Sequence, residues 1–145
     1  MRNKSPLKRQ KGVGLIEVLV SMVVLSLCML GMAALQKVSL RNNQSAQSRS
    51  MATIMSASIT ESMRANVTAA KGGDYNIDTC SSTSSGTLAD TDVAAWVQSL
   101  KTAIGQSACG GIVCRNSRCD ITVQWDDSRA TKGSSAQVVT TKIVL

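Results

Sequence analysis

The order of hydrophobic and polar positions divides the chain into an apolar stretch, an amphipathic stretch and a C-terminal part with strand-like alternation. The apolar stretch, Val13–Leu35, has 23 residues and holds a single charge, Glu17. As a helix it reaches roughly 34 Å, more than the hydrocarbon core of a bilayer at about 30 Å. We therefore predict a membrane-spanning helix. A carboxylate near the start of such a helix indicates function, because an ionisable group is costly there without a partner.

The helical pattern continues beyond the apolar stretch, without Gly or Pro from residue 32 to residue 71. We predict one helix from residue 14 to about residue 70, ended by Gly72-Gly73. Its polar middle, Ser39–Ser50, has the weakest helical signal. In its second half an apolar residue recurs every four positions, which predicts a stripe packed against a sheet. The stripe consists of Met51, Met55, Ile59, Met63 and Val67.

The remainder predicts a connection, a short helix and an antiparallel sheet. Residues 72–91 are rich in Gly, Ser, Thr and Asp and predict a loop that a disulfide at Cys80 would hold in place. The next helix has its N-cap in Asp90–Asp92, its end at Gly105, and an apolar face of Val93, Trp96, Val97, Leu100 and Ile104. A short strand and a turn follow in "GIVCRNSRC", and alternation of apolar and polar residues predicts strands in "CDITVQWDD" and "QVVTTKIVL".

Four of the five cysteines lie after the apolar stretch, in the part of the chain expected to be exported, which predicts two disulfides in a small domain. Four cysteines allow three pairings. A turn through Arg115–Arg118 would place Cys114 opposite Cys119, so we favour Cys114–Cys119 and Cys80–Cys109. A zinc site is disfavoured, since the chain has no His and no C-x2-C spacing. Cys28 lies within the apolar stretch and is expected to pack as a small hydrophobic residue.

The charge is concentrated at the N-terminus. Five of the 16 basic residues precede Gly12, where no acidic residue lies, and the rest of the chain has 11 basic and nine acidic residues, a balance of +2. A basic cluster beside a membrane span places the N-terminus in the cytoplasm and the remainder outside it. The alternatives for this end of the chain are a cleaved secretory signal peptide, which has a shorter apolar region, and a plain anchor, which leaves Glu17 unexplained.

The composition excludes several classes of function. Without His there is no Ser-His-Asp triad, and no phosphate-binding glycine loop is present, so we expect no enzyme and no cofactor. Residues 37–145 carry a balance of only +3, so nucleic-acid binding is disfavoured. The cations near the predicted strand ends are opposed by Asp120, Asp126 and Asp127; they are Arg115, Arg118, Arg129 and Lys132.

The segment "GVGLIEV", with its basic leader and the apolar run after it, resembles the class III signal of type IV prepilins. That family has Gly followed usually by Phe-Thr-Leu-Ile-Glu. Gly12 corresponds to the last leader residue, Val13 to the first mature residue and Glu17 to the fifth. Val13 and Gly14 depart from the common Phe-Thr, where minor members of the family vary.

The resemblance implies an α+β, type IV pilin-like fold, with a long N-terminal helix, its first half transmembrane, packed on a small antiparallel sheet. It implies a leader (1–12), a transmembrane and filament-core helix (13–36) and a periplasmic head (37–145). Prepilin peptidase would cut between Gly12 and Val13 and methylate the Val13 amine. Glu17 would face the N-terminal amine of a neighbouring subunit and set the register of assembly, because a buried ion pair is a better determinant of register than of stability.

The resemblance further implies a minor pilin that takes part in initiating pilus assembly, near the pilus tip. Its partners would be other minor pilins, the major pilin, the inner-membrane assembly platform and, before assembly, inner-membrane lipid. The alternatives are a minor pseudopilin of a type II secretion system, which would share leader and helix, and, from another class, a tip adhesin or DNA-binding pilin.

Overall fold

The structure is a computed structural model that describes Gly12, residues 14–81 and residues 86–145. This part of the chain forms helices α1 (Leu15–Ala65), α2 (Val67–Gly72) and α3 (Leu88–Ala103), and strands β1 (Cys109–Arg115), β2 (Arg118–Trp125) and β3 (Gln137–Val144). The fold is α+β, with a long N-terminal helix and a small antiparallel sheet, as the sequence predicted. The chain divides into two compact units, residues up to Val38 and Ser39–Leu145.

The first unit contains the apolar part of α1, and every side chain described there is exposed. The two serines of this segment bond within the helix. The Ser21 hydroxyl donates to the Glu17 carbonyl oxygen at 2.6 Å, and the Ser26 hydroxyl donates to the Met22 carbonyl oxygen at 2.8 Å. Both hydroxyl groups are therefore hydrogen-bonded within the helix, which suits a helix in an apolar environment.

In the second unit α1 is helical through Ser39–Ser50 and buries one face further along, formed by Ala52, Ser56, Ile59, Thr60 and Met63. The predicted stripe is wrong at its ends, because Met51 is only half-buried and Val67 is exposed. A spacing of four residues turns by about 40° per step relative to a helix of 3.6 residues per turn, so a strict stripe rotates away from a flat neighbour. The buried face therefore combines spacings of three and four residues.

The long helix ends earlier than the sequence predicted. Asn66, with φ −127° and ψ 55°, separates α1 from α2, so the single helix expected to about residue 70 is two helices. Asn is a poor residue for a helix interior because its side chain competes for backbone hydrogen bonds. Gly73 then adopts φ 92° and ends α2, as the Gly-Gly pair predicted.

The N-cap of α3 lies three to five residues before the predicted cap at Asp90–Asp92. Its N-cap is Thr87, whose hydroxyl accepts the Asp90 N–H at 3.1 Å while the Asp90 carboxylate accepts the Thr87 N–H at 3.0 Å. This reciprocal capping box satisfies two helix-end donors, which a cap at Asp90–Asp92 would not. The helix ends at Ala103, just before the predicted stop at Gly105. Its buried face consists of Ala89, Val93, Trp96 and Leu100.

The sheet has the order β1-β2-β3 and is antiparallel throughout. Asn116 and Ser117 connect β1 to β2, and Asn116 adopts φ 57°, a region that Asn tolerates. The inner face of β2 is buried and consists of Cys119, Ile121, Val123 and Trp125. The core of the head lies between this face, α3 and the buried face of α1.

The connection after α2 is more ordered than a loop held only by a disulfide. The Ile77 N–H donates to the Ile112 carbonyl at 2.9 Å, the reverse bond has the same length, and the Cys80 N–H donates to the Gly110 carbonyl. Gly110 and Gly111 permit the packing around β1. A Cβ at Gly110 would lie 2.3 Å from the Trp96 ring, and one at Gly111 would contact Thr79.

Candidate functional site

The predicted processing site lies at the N-terminal end of the described chain. Val13 and the basic leader fall outside the described residues. Gly12 is exposed, and a Cβ built on it would meet nothing within 4 Å; one built on Gly14 would only touch Ile16 at 3.9 Å. The described fold therefore does not itself require a glycine at residue 12, so a need for glycine there would come from recognition by another molecule.

Glu17 lies in the first turn of α1. Its backbone N–H donates to the Gly14 carbonyl at 2.9 Å, so the turn forms directly after the glycine. A carboxylate in the first turn interacts favourably with the positive end of the helix dipole. The side chain is exposed, and among the described residues it has no cation within ion-pair distance. Its charge is thus available to a group outside the described chain.

A shallow groove of about 290 Å³ runs beside this carboxylate along one side of the helix. Apart from Glu17 and Ser21 its lining is apolar: Val18, Met22 and Leu25. An occupant that fits it combines an apolar surface with a cationic group near Glu17. A second apolar helix with a positively charged end has this combination.

The apolar surface continues along the helix. Leu15 is 80% exposed and Leu35 73% exposed, and the large apolar side chains between them are exposed as well. By length and composition, α1 is the one helix in the described ranges that could cross a membrane. So much exposed apolar surface exceeds what a soluble monomer usually leaves uncovered, and it is consistent with membrane anchoring.

The head is held together by two disulfides, and they have the pairing that the sequence analysis favoured. Cys80 is bonded to Cys109, with Cα atoms 4.9 Å apart, and Cys114 is bonded to Cys119, with Cα atoms 4.0 Å apart. Cys114 and Cys119 are also paired in the register of β1 and β2. All four thiols are used in these bonds, which leaves them unavailable as metal ligands.

Two polar contacts that sequence reasoning missed hold the head further. Tyr75 is fully buried and its hydroxyl donates to the Asp92 carboxylate at 2.7 Å. Burial and then the contact with Asp92 raise the pKa of Tyr75 to about 12. The Ser45 hydroxyl of α1 donates to the buried Asp127 carboxylate at 2.6 Å. The one Tyr in a chain with few aromatic residues was the available signal for the contact between Tyr75 and Asp92. No local pattern in the sequence indicates the contact between Ser45 and Asp127.

Asp126 and Asp127 both follow β2, which ends at Trp125, and they have different surroundings. Asp126 is exposed, and its carboxylate accepts the Ser128 backbone N–H at 2.9 Å. This hydrogen bond, with a smaller effect of Arg129, lowers the pKa of Asp126. Asp127 instead faces Ser45. The pair is therefore a structural turn and not a pair of carboxylates that share a ligand.

The comparisons with known proteins concern the N-terminal segment. A family profile described as the prokaryotic N-terminal methylation motif matches residues 7–33. No curated protein matches the chain. No solved structure matches it. The matched segment includes Gly12 and Glu17 and supports a type IV pilin-like prepilin, a substrate of the peptidase and methyltransferase that process this signal.

Proposed function

We propose that the chain is a minor type IV pilin similar to the pilus modification protein PilV, and that it takes part in the initiation of pilus assembly. After initiation it would remain in the pilus, near the tip. Before assembly it would be a single-pass protein of the bacterial inner membrane, with the N-terminus in the cytoplasm and the head, residues 37–145, in the periplasm. Its partners would be other minor pilins, the major pilin and the inner-membrane assembly platform.

The observation that carries this proposal is the combination at the start of α1. Gly12 is sterically unconstrained, Glu17 has a free carboxylate five residues later, and a fully exposed apolar helix follows. A plain anchor would account for the apolar helix alone. A prepilin accounts for all three features, because the glycine is needed by the peptidase, the carboxylate by the assembled filament and the apolar surface by both lipid and neighbouring helices.

Glu17 would select the stagger between neighbouring helices. In the mature chain it would lie about four residues, roughly 6 Å along the helix, from the new N-terminal amine, so both groups can stay near the membrane interface. In a filament the carboxylate would face the amine of a neighbouring subunit. A misplaced helix would leave both charges unpaired in an apolar environment, and this penalty disfavours wrong registers.

Processing is tested first by the intact mass and N-terminal sequence of the protein purified from its own membrane. We expect a chain that begins at N-methylated Val13 and is four hydrogen atoms lighter than its reduced form, because of the two disulfides. Gly12→Val should block cleavage, whereas the matched change Gly14→Val should leave it intact. A natural chain that still carries residues 1–12 would overturn the proposal.

The role in assembly is tested by deletion and complementation. We expect loss of surface pili in the deletion strain, with restoration by the natural gene and by Ser21→Ala, but not by Glu17→Gln, which keeps the size of the side chain and removes its charge. Normal piliation in the deletion strain, with a defect in protein export, would instead identify a pseudopilin of a type II secretion system.

A further inference from the structure

The outer face of the sheet carries an unusual arrangement of charge at the β1–β2 hairpin. Arg115 of β1 is paired directly with Arg118 of β2 in the sheet register. Directly paired residues of an antiparallel sheet project from the same face, with Cβ atoms about 5 Å apart, and like charges at such positions destabilise the sheet. Both arginines are exposed. Nothing in the fold of the head requires two arginines at these positions.

A third cation and two valines extend this surface across the neighbouring strands. Arg118 is paired with Val144 of β3, and Asp120 is paired with Lys142. Val113 lies beside Asp120 on β1. Val144 is 67% exposed and Val113 is 41% exposed, so the cations are flanked by uncovered apolar surface. We call this set the hairpin surface; it consists of Val113, Arg115, Arg118, Asp120, Lys142 and Val144.

The cations of the hairpin surface form no ion pair within the described chain. The ion pair present there joins Arg64 to Glu61 on α1, and Arg115, Arg118 and Lys142 have no carboxylate within ion-pair distance. They line a cleft of about 770 Å³. Three cations against one carboxylate leave a local excess of positive charge. Two guanidinium groups side by side can bind one carboxylate with charge-assisted hydrogen bonds, and its attraction to each of them would offset their mutual repulsion.

We propose that the hairpin surface is a docking site for an acidic, partly apolar segment of another protein. Carboxylates of the partner would bind between Arg115 and Arg118 and beside Lys142, and its apolar side chains would cover Val113 and Val144. The charge complementarity and the exposed valines favour a protein partner over nucleic acid. All three aromatic residues of the chain are buried, so none of them offers a platform for base stacking.

Binding is tested with the purified full chain in non-ionic micelles and a fluorescein-labelled peptide of alternating Glu and Val. We expect the peptide to bind more tightly than its Lys-Val counterpart. Arg115→Gln with Arg118→Gln should weaken binding roughly three- to tenfold, as expected for the loss of two exposed charge contacts. Lys142→Gln, on a different strand, should weaken it less. The matched control, Arg49→Gln with Lys71→Gln, removes the same charge from exposed helical positions and should leave binding unchanged.

Four outcomes would overturn the proposal. The Glu-Val peptide could bind no better than the Lys-Val peptide, or the control pair could weaken binding as much as the arginine pair. A DNA duplex could bind more tightly than the peptide with the same dependence on the two arginines, which would assign the surface to nucleic acid.

The thermal midpoint separates binding from folding, since removal of two opposed like charges should leave it unchanged or raise it. A marked fall would assign the arginines a structural role. The arginine pair and the control pair are compared on the same chain, so any binding to the basic residues before Gly12 is common to both variants, and the comparison tests the surface separately from the proposed pilus role.

Discussion

The two tryptophans of the head provide a measurement of one buried hydrogen bond within a single fold. Trp96 is 4% exposed and Trp125 is 2% exposed, so both are core residues. The Trp96 indole N–H donates to the Met55 carbonyl of α1 at 2.9 Å. The Trp125 indole N–H is buried and has no acceptor among the described residues. The same substitution at the two positions therefore removes a hydrogen bond in one case and only an unpaired donor in the other.

The magnitude follows from this difference. Trp→Phe removes a similar apolar area at both positions, so the burial and cavity contributions nearly cancel in the comparison. The hydrogen bond to Met55 contributes about 1 kcal/mol net, whereas loss of the unpaired donor at Trp125 relieves a desolvation cost. We expect Trp96→Phe to lower the free energy of unfolding by about 1 kcal/mol more than Trp125→Phe. For a domain of this size, that corresponds to a difference of about 4–8 °C in the thermal midpoint.

The assay is urea and thermal unfolding of the full chain in non-ionic micelles, followed by circular dichroism and by the fluorescence of the remaining tryptophan. Benzothienylalanine is the matched control, because it keeps the shape of the indole and replaces its N–H with sulfur. At residue 96 it should reproduce most of the difference, and at residue 125 it should be neutral or stabilising. Equal losses at the two residues would refute the reasoning, since they would mean that Trp125 also has an acceptor, such as an internal water.

Three further predictions concern the two disulfides, the Tyr75 hydroxyl and the N-cap of α3. Loss of Cys80–Cys109 should cost about 3.5 kcal/mol and loss of Cys114–Cys119 about 2 kcal/mol by loop-closure entropy, given sequence separations of 29 and 5; denaturant unfolding of the paired Cys→Ser variants would contradict this if the short loop cost more. The raised pKa of Tyr75 stabilises the fold fully below pH 10 and less as pH rises toward 12, so Tyr75→Phe should unfold with a shallower pH dependence in this window. Thr87→Val should lower stability by about 1 kcal/mol through loss of the capping box, and hydrogen exchange confined to the first turn of α3 should increase; unchanged exchange would argue against the cap.

The sequence was sufficient for several features whose cause is local. The apolar composition of Leu15–Leu35, which is rich in Leu and Met, favours a helix, and α1 begins at Leu15. The alternation in "ITVQW" determines which face of β2 is buried, and the short hairpin turn brings Cys114 opposite Cys119. The motif around Gly12 and Glu17 is likewise local, because its residues lie within one short stretch of the chain, which a family profile matches. For these reasons, the α+β fold and the prepilin-like signal are both apparent from sequence.

The error in the apolar stripe of α1 lies where distant segments compete for the same surface, whereas the break at Asn66 and the cap at Thr87 are local features that the prediction missed. The apolar stripe of α1 was predicted at a spacing of four residues, but contact with the rest of the head selects Ala52, Ser56 and Thr60 alongside Ile59 and Met63. Small and hydroxylated residues do not register as core in a hydrophobic pattern. Their hydroxyls donate to carbonyls within the helix, which makes burial inexpensive.

The sequence by itself determined the apolar helix, the carboxylate at its start, the alternating strands and the number of cysteines available for disulfides. Only the tertiary structure decided that Tyr75 reaches Asp92, that Ser45 reaches Asp127 across 82 residues, and that the Ile77 segment pairs with β1. It also placed Arg115, Arg118 and Lys142 on one exposed face. The physical reason is that periodicity and turn chemistry act over a few residues, whereas side-chain pairing between elements depends on how the elements pack, and no local pattern encodes that packing.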